Sequence, residues 1–360
     1  MIPVTKPFLP PRAAYQSLID DVWGRNWLTN NGPLVNELEL KLKQHLGLPH
    51  LLFVGNGTIA LQLAIKALGL RGDIITTPFS YVATTSSIVW ENCRPIFADI
   101  DPHTLNIDPG SIESVITPDT EAILATHCFG NACAIDRIAE LAQRHGLKVI
   151  YDAAHCFGTT YKDQSIFSYG DISTVSFHAT KLYHTVEGGA VCTPAADLLK
   201  TMAYMRNFGH DGPERFHGVG INGKNSEFHA AMGLAVLPHV EEILERRKTQ
   251  CLRYDALLEN MRMERPTITA GCGYNHAYYP VLFESEDMLL KVESALKRRE
   301  IFPRRYFYPS LSSLEYVPDQ DTPVCDDAAR RVLCLPLYHT LSEAEQQMIA
   351  RILLRVQRYG

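Results

Sequence analysis

The 360-residue sequence has no apolar run near the roughly 18 residues that a membrane-spanning helix needs. It also has no excess of basic residues, since 34 lysines and arginines stand against 40 acidic residues and the formal net charge is −6. A nucleic-acid partner requires a basic field, so this charge argues against one. The segment Met1–Pro7 lacks the apolar core of a signal peptide. These absences predict a cytoplasmic protein with neither a membrane nor a nucleic acid as partner.

Cysteine pairs with the spacing of metal ligands are missing as well. The chain has nine scattered cysteines and no Cys-x-x-Cys pair. Cys128, Cys133 and the dipeptide His155-Cys156 do not repeat with zinc-ligand spacing. We interpret the cysteines as reduced thiols and predict no metal site.

Apolar residues make up 46% of the chain, which suffices for one large or two medium domains with buried cores. Helical and strand patterns alternate up to about residue 205. An amphipathic helix is predicted over 34–46, an apolar helix over 58–68 and another helix over 135–145. Short apolar strands are predicted at 73–77, 94–98, 121–127, 147–151, 173–177 and 190–193. This order predicts an α/β fold with a mostly parallel central sheet flanked by helices.

The pattern changes after residue 205. Residues 206–225 are rich in Gly, Asn and His and have no apolar period, as in a functional or disordered loop. A long helix begins at Glu241 and leads into a smaller region, whose last helix opens with a capping box at 342–345. We predict a large domain over 1–240 and a smaller C-terminal α+β domain over 241–360, with the N-terminal segment free to pack on the small domain.

One glycine motif is rejected as a dinucleotide site. Residues 218–223 fit G-x-G-x-x-G, but the preceding residues 214–217 do not form a strand. The dinucleotide fingerprint needs a strand ahead and a helix behind. We interpret this segment as a flexible glycine loop.

Three features at predicted strand ends carry chemistry. Residues 55–58 (Gly-Asn-Gly-Thr) turn from a strand end into a helix, where backbone N–H groups favour a phosphate, although an ordinary capped helix would look the same. Asp152 ends an apolar strand, where it binds a ligand or caps the next turn. Lys181 follows a strand end and precedes Gly188-Gly189, a setting that favours a desolvated amine over a solvated one. Pyridoxal phosphate needs all three features together.

Six motifs occur in the order of one known family, at residues 27–34, 55–58, 78–84, 152–155, 176–181 and 187–189. On these motifs the sequence resembles, nearly end to end, the DegT/StrS family of pyridoxal phosphate-dependent nucleotide-sugar aminotransferases. The resemblance implies the fold type I architecture of pyridoxal phosphate-dependent transferases and a transaminase activity.

The resemblance also implies roles for individual residues. Lys181 would bind the cofactor covalently and then shuttle a proton between the substrate carbon and the cofactor carbon. Asp152 would pair with the pyridine nitrogen, and Tyr81 would stack on the ring. His155 stands where relatives often have Gln, beside the cofactor's phenolic oxygen. The phosphate would be held by Gly57, Thr58 and Ser176.

A homodimer is implied by a segment that completes the site of a neighbouring subunit in this family. Residues 220–225 match its G-x-N-x-R pattern, with Asn222 at the Asn position and Lys224 at the Arg position. Lys keeps the charge of Arg but loses its bidentate geometry. We expect Asn222 to cross the interface, with Lys224 or Asn225 as its substitutes.

The substrate is predicted from a basic and aromatic run. Arg305, Tyr306 and Tyr308 could bind a nucleotide diphosphate by pairing and stacking, or could form a strand edge with solvated arginines. Tyr183 and His184 are further pocket candidates.

The resemblance implies a dTDP-linked keto-6-deoxyhexose as substrate and L-glutamate as amino donor, with pyridoxamine phosphate formed between the two half-reactions. Amination at C3 or at C4 stays open, as does the destination of the aminosugar, which includes lipopolysaccharide O-antigen. Two alternatives stay open too. A related sugar dehydratase would have His in place of Lys181, and a non-catalytic regulator would have lost part of the cofactor set.

Overall fold

The computed structural model describes residues 1–359. Its strands are β1 (Ile2–Pro3), β2 (Leu51–Val54), β3 (Asp73–Thr76), β4 (Arg94–Phe97), β5 (Thr120–Thr126), β6 (Lys148–Asp152), β7 (Thr160–Tyr161), β8 (Gln164–Ser165), β9 (Ile172–Ser176), β10 (Gly189–Cys192), β11 (Met263–Glu264), β12 (Cys272–Gly273), β13 (Tyr279–Phe283), β14 (Ile301–Phe302) and β15 (Val332–Leu335). Its α-helices are α1 (Arg12–Arg25), α2 (Pro33–Leu46), α3 (Gly57–Ala67), α4 (Val82–Trp90), α5 (Pro109–Ser114), α6 (Ile135–His145), α7 (Ala196–Arg206), α8 (Glu227–Val236), α9 (Val240–Leu257), α10 (Glu286–Lys297), α11 (Pro323–Arg331) and α12 (Glu343–Tyr359).

A seven-stranded sheet forms the centre of the fold, in the order β2-β10-β9-β6-β5-β3-β4. The neighbours from β9 to β4 are parallel, and β10 alone runs antiparallel to the strands on both of its sides. The predicted α/β fold with a mostly parallel sheet is confirmed. All six predicted strands of this sheet lie within one residue of the observed bounds, because each contains a short apolar run.

Both faces of the central sheet are buried, and successive strand residues pack on opposite faces. Phe53, Ile75 and Ile123 belong to one hydrophobic cluster, which includes residues of α2, α6 and α8. Their neighbours Leu52 and Ile74 belong to another cluster, which includes residues of α3 and α7. A parallel sheet covered by helices on both faces needs such continuous apolar strands, and this explains why short apolar runs in the sequence located them.

A second core lies in the C-terminal part of the chain. It packs α10 and α12 against the antiparallel sheet β11-β13-β15. Helix α9 contributes to both cores, with Val240 and Ile243 in the first and Tyr254 in the second. The N-terminal strand β1 pairs in parallel with β14, and its Ile2 lies in the second core. The predicted boundary at 240/241 therefore falls at the start of a helix that the two cores share.

A buried carboxylate caps helix α2 from a distant part of the chain. Glu227, the first residue of α8, accepts hydrogen bonds from the backbone N–H groups of Leu34 and Val35, both at 2.9 Å. Its carboxylate also lies 3.8 Å from the Arg25 guanidinium. A Cβ at Gly32 would lie 2.5 Å from the Glu227 carboxyl carbon, so a side chain there would displace the carboxylate. This contact satisfies N–H groups that the first turn of a helix otherwise leaves free.

We expect Glu227→Gln to destabilise the protein by about 2 kcal/mol, because the amide turns a donor toward one of these N–H groups and removes the buried charge. Urea unfolding followed by circular dichroism measures the change. The exposed Glu259 forms no such contact, so Glu259→Gln is the matched control. A loss for Glu227→Gln no larger than for the control would contradict the capping role.

Candidate functional site

A cavity of about 460 Å³ opens beyond the carboxyl ends of β5, β6 and β9. This edge is where parallel α/β sheets bind ligands, and the volume suits a small cofactor. Eight of the predicted site residues line it: Gly57, Thr58, Tyr81, Asp152, His155, Ser176, Lys181 and Tyr306. The structure thus brings together residues from four strand ends and from the C-terminal part of the chain.

The start of helix α3 forms one wall of the cavity. Asn56 caps this helix by accepting a 2.8 Å hydrogen bond from the Ile59 N–H. Gly57 lies so close to Ser176 that a Cβ added to it would be 3.0 Å from the Ser176 Cβ. A side chain at this position would therefore push Ser176 away from the start of the helix. The free N–H groups of the first turn, the helix dipole and the Ser176 hydroxyl together suit a phosphate.

Asp152 ends β6 and is buried. Its Oδ2 accepts a 2.7 Å hydrogen bond from the Thr84 hydroxyl, and its Oδ1 accepts a 3.1 Å bond from the Ala154 N–H. Burial raises the pKa of Asp152, while these hydrogen bonds and the charge of Lys181 oppose that rise. A cation placed in the cavity would favour the ionised form further.

Lys181 lies in the turn after β9, where its backbone N–H donates a 2.8 Å hydrogen bond to the His178 carbonyl. Its side chain lines the cavity and is half-buried. This burial lowers the pKa of Lys181 to about 8, although the carboxylate of Asp152 acts in the opposite direction. About a tenth of the amine is therefore neutral at pH 7, far more than for an ordinary lysine, and the neutral form is the nucleophile.

His155 presents a hydrogen-bond donor to the cavity. Its Nδ1 accepts a 3.2 Å hydrogen bond from the Phe129 backbone N–H, which assigns the proton to Nε2. Burial lowers the pKa of His155, so the ring is neutral. The ring stacks on Phe307 at 5.7 Å and packs at 4.7 Å against Tyr278, which fixes its orientation.

Tyr81 lies at the mouth of the cavity, immediately before the first turn of α4. Its side chain is 54% exposed, unlike the buried aromatic residues of the core. An exposed ring at a cavity mouth is free to stack on a flat ligand, whereas a core tyrosine is not.

Four predicted substrate residues do not line the cavity. Tyr183 is fully buried and stacks on Phe157 at 4.3 Å, because the chain after Lys181 turns its side chains into the first core. His184 Nε2 lies 2.7 Å from the Phe8 carbonyl oxygen, in a contact with the N-terminal segment. Arg305 pairs with Glu286 at 2.7 Å, and the Tyr308 ring lies 3.5 Å from the Arg305 guanidinium. A substrate role for these four residues therefore has no support from their positions.

Asn222 also lies outside this cavity. It is exposed, and its backbone forms an isolated bridge with Asn207. Its predicted contact with the site of a second subunit stays a prediction.

The sequence reasoning missed several residues that line the cavity. Arg304 lies there with its guanidinium 4.8 Å from the Tyr306 ring, and no carboxylate within residues 1–359 forms an ion pair with it. Tyr278 and Phe307 form part of the same wall. The sequence offered one usable signal for Arg304. Adjacent side chains of an extended segment point in opposite directions, so Arg304 and Arg305 could not both face the cavity.

Across residues 1–359, no group of three or more His, Cys, Asp or Glu side chains has the arrangement of a metal site. All nine cysteines are free thiols. No helix within residues 1–359 is both long enough and apolar enough to cross a membrane.

The residues of the cavity fit pyridoxal phosphate. The cofactor needs an anion cradle, a carboxylate for its pyridine nitrogen and an amine for its aldehyde. The glycine approach at Gly57, the buried carboxylate of Asp152 and the partly neutral amine of Lys181 meet these needs within one cavity.

Comparisons with known proteins agree with this geometry. The profile of the DegT/DnrJ/EryC1/StrS aminotransferase family matches residues 12–354. A dTDP-4-amino-4,6-dideoxy-D-glucose transaminase of Shigella dysenteriae is 42% identical over 94% of both chains. A transaminase of the same name from Escherichia coli is 37% identical over 98% of both chains. The crystal structure of DesI with its TDP-sugar product has a TM-score of 0.94 and 33% identity, and the match covers 99% of this chain and 93% of DesI. The enzymes of this family use pyridoxal phosphate. The chain belongs to the DegT/DnrJ/EryC1/StrS aminotransferase family and is a nucleotide-sugar aminotransferase.

Proposed function

We propose that this enzyme transfers the amino group of L-glutamate to C4 of a dTDP-linked 4-keto-6-deoxyglucose. The observation that carries the proposal is the meeting of a partly neutral amine, a buried carboxylate and an anion cradle in one cavity. The choice of sugar is supported by the names of the two transaminases, which specify dTDP-4-amino-4,6-dideoxy-D-glucose. Those names also favour C4 over C3 as the aminated carbon.

The residues of the cavity divide the chemistry between them. Pyridoxal phosphate, when bound, supplies an aldehyde for covalent attachment and a ring that stabilises negative charge on the neighbouring carbon. Lys181 would act as the neutral amine that binds the aldehyde and would move the proton at the reacting carbon. Asp152 would keep the ring nitrogen protonated, and the Nε2–H of His155 would be the donor for the phenolic oxygen. Ser176 and the first turn of α3 would hold the phosphate.

Arg304 is the residue that suits the carboxylate of an amino acid that donates the amino group. It lies at the cavity without a carboxylate partner, and its charge acts on Lys181. The carboxylate of an α-amino acid is attached to the carbon that reacts, so it must lie near Lys181. The reacting ketone of the sugar has no charged neighbour, because the diphosphate is joined at another ring carbon. A planar guanidinium can bind a carboxylate with two parallel hydrogen bonds.

A homodimer is supported by the apolar surface that a single chain exposes. Three large apolar side chains are mostly exposed. They are Trp23 in α1 (65%) and, in the loop after α7, Phe216 (65%) and Val219 (78%). Phe216 and Val219 lie three residues apart in one loop, and exposed apolar groups that cluster mark contact surfaces. The same loop carries Asn222, so a second copy seated there would place that side chain at an interface. We propose that this copy covers the loop and completes the cavity.

The complete set of cofactor-binding residues disfavours the alternative activities. A dehydratase of this superfamily would have His at position 181, where this chain has Lys. A non-catalytic regulator would have no use for an amine whose pKa is lowered to about 8 in a cavity of cofactor size.

The proposed reaction is tested with purified enzyme, dTDP-4-keto-6-deoxyglucose and glutamate labelled with nitrogen-15. We expect the label on C4 of the sugar nucleotide, read by NMR and mass spectrometry. Lys181→Ala, which removes the amine, is the control and should abolish turnover while the protein still binds the cofactor. Label on C3, an unlabelled dehydration product, or an active Lys181→Ala enzyme would contradict the proposal.

The role of Arg304 is tested by measuring the two half-reactions separately in single-turnover experiments. Arg304→Gln should weaken the half-reaction with glutamate about 10- to 100-fold, because a charge-assisted pair to the carboxylate is lost. The half-reaction with the ketosugar should stay nearly unchanged. Arg305→Gln is the matched control, since its guanidinium pairs with Glu286 outside the cavity. An equal loss in both half-reactions, or a larger effect of Arg305→Gln on glutamate, would contradict this role.

A further inference from the structure

Three buried hydroxyl groups form a continuous hydrogen-bonded chain that ends on Asp152. The Thr126 and Ser80 hydroxyl oxygens are 2.9 Å apart, and those of Ser80 and Thr84 are 2.7 Å apart. The Thr84 hydroxyl lies 2.7 Å from Asp152 Oδ2. Thr84 is fully buried, and the other two residues are at most 4% exposed. The members come from the end of β5, the loop after β3 and the first turn of α4.

The carboxylate of Asp152 determines which hydroxyl group donates and which accepts in each hydrogen bond of this chain. An ionised carboxylate can only accept, so the Thr84 hydroxyl must donate to Asp152. The Thr84 oxygen then accepts from Ser80, and the Ser80 oxygen accepts from Thr126. All three hydroxyl protons point toward the carboxylate. Hydrogen bonds aligned in this way polarise one another, so each strengthens the next.

We propose that Thr126, Ser80 and Thr84 are positioning residues that keep Asp152 ionised and oriented toward the ring nitrogen of the cofactor. This inference rests on the role of Asp152 in the proposed function. It adds three residues to the machinery of the site, none of which touches the reacting atoms.

The surroundings of Asp152 explain why it needs such support. Burial raises the pKa of Asp152. The thiols of Cys128 and Cys156 interact with it, but burial also raises their pKa values, so both are neutral. Lys181 is the one charged group that acts on Asp152, and its own amine is partly neutral. Within residues 1–359, Thr84 is the one side chain that donates a hydrogen bond to this carboxylate.

The protein supplies an internal control at the next position of α4. Thr85 is as fully buried as Thr84, but its hydroxyl has no hydrogen-bond partner. Thr85→Val therefore removes a buried hydroxyl from the same helix without touching the chain that ends on Asp152. Thr84→Ser keeps the hydroxyl of Thr84 and serves as the conservative variant.

The first measurement follows the carboxyl group of Asp152 in cofactor-free protein. Carbon-13 NMR of aspartate-labelled protein gives its titration curve, with the signal assigned by Asp152→Asn. Thr84→Val should lower the ionisation constant of Asp152 about tenfold or more, because a hydrogen bond to a charged group is lost. Ser80→Ala should act in the same direction by a smaller factor. Thr84→Ser and Thr85→Val should titrate like the wild type.

The second measurement is the affinity for pyridoxal phosphate, which Thr84→Val should weaken about tenfold and Thr85→Val should leave unchanged. An unchanged titration of Asp152 in Thr84→Val, an equal change in Thr85→Val, or no change in Ser80→Ala would overturn the inference. A changed titration with unaltered cofactor affinity would overturn it too. Neither measurement involves amino transfer, so failure of the proposed reaction would be recognised separately in the product assay.

Discussion

Two opposite charges share the buried cavity at the edge of the sheet, and the rest of the site depends on their interaction. Burial disfavours the charged form of both Asp152 and Lys181, while each group stabilises the charge of the other. The balance leaves a carboxylate that favours a cation beside it and an amine that is neutral often enough to attack. A ligand with a protonated ring nitrogen and an aldehyde satisfies both groups at once. This complementarity makes the cavity specific for pyridoxal phosphate rather than for an arbitrary small anion.

The fold supplies rigid elements for each half of this pair. Asp152 ends a strand that is buried between two others, and Lys181 lies in a turn next to β9. The remaining wall comes from the C-terminal part of the chain, which contributes Arg304 and the aromatic side chains around His155. Phe307 of this wall packs in one hydrophobic cluster with Phe79 and Phe129, so the cluster joins the C-terminal part of the chain to the loops beyond the central sheet.

The sequence predicted the cofactor half of the site better than the substrate half, for a physical reason. Asp152 and Ser176 end apolar strands, and the carboxyl ends of parallel strands meet at one edge, so sequence position sufficed to place them. Tyr183 and Arg305 lie beside cavity residues along the chain, but their side chains point away from the cavity, and adjacency does not reveal direction. His184 contacts Phe8, which is 176 residues away, and the hydroxyl chain unites three separate elements. Such contacts form only when the chain folds, so no local sequence pattern predicts them.

The central claim is that the amine of Lys181 is the attachment point of the cofactor, and it can be tested directly. Purified protein is incubated with pyridoxal phosphate over a range of pH and reduced with borohydride, and the modified peptide is mapped by mass spectrometry. The neutral fraction of the amine increases as the pH rises through its pKa of about 8, so the attachment rate should be half-maximal near that pH and level off above it. We predict a pyridoxyl group on Lys181 alone. A protein without the adduct, or an adduct on another lysine such as Lys224, would contradict the account.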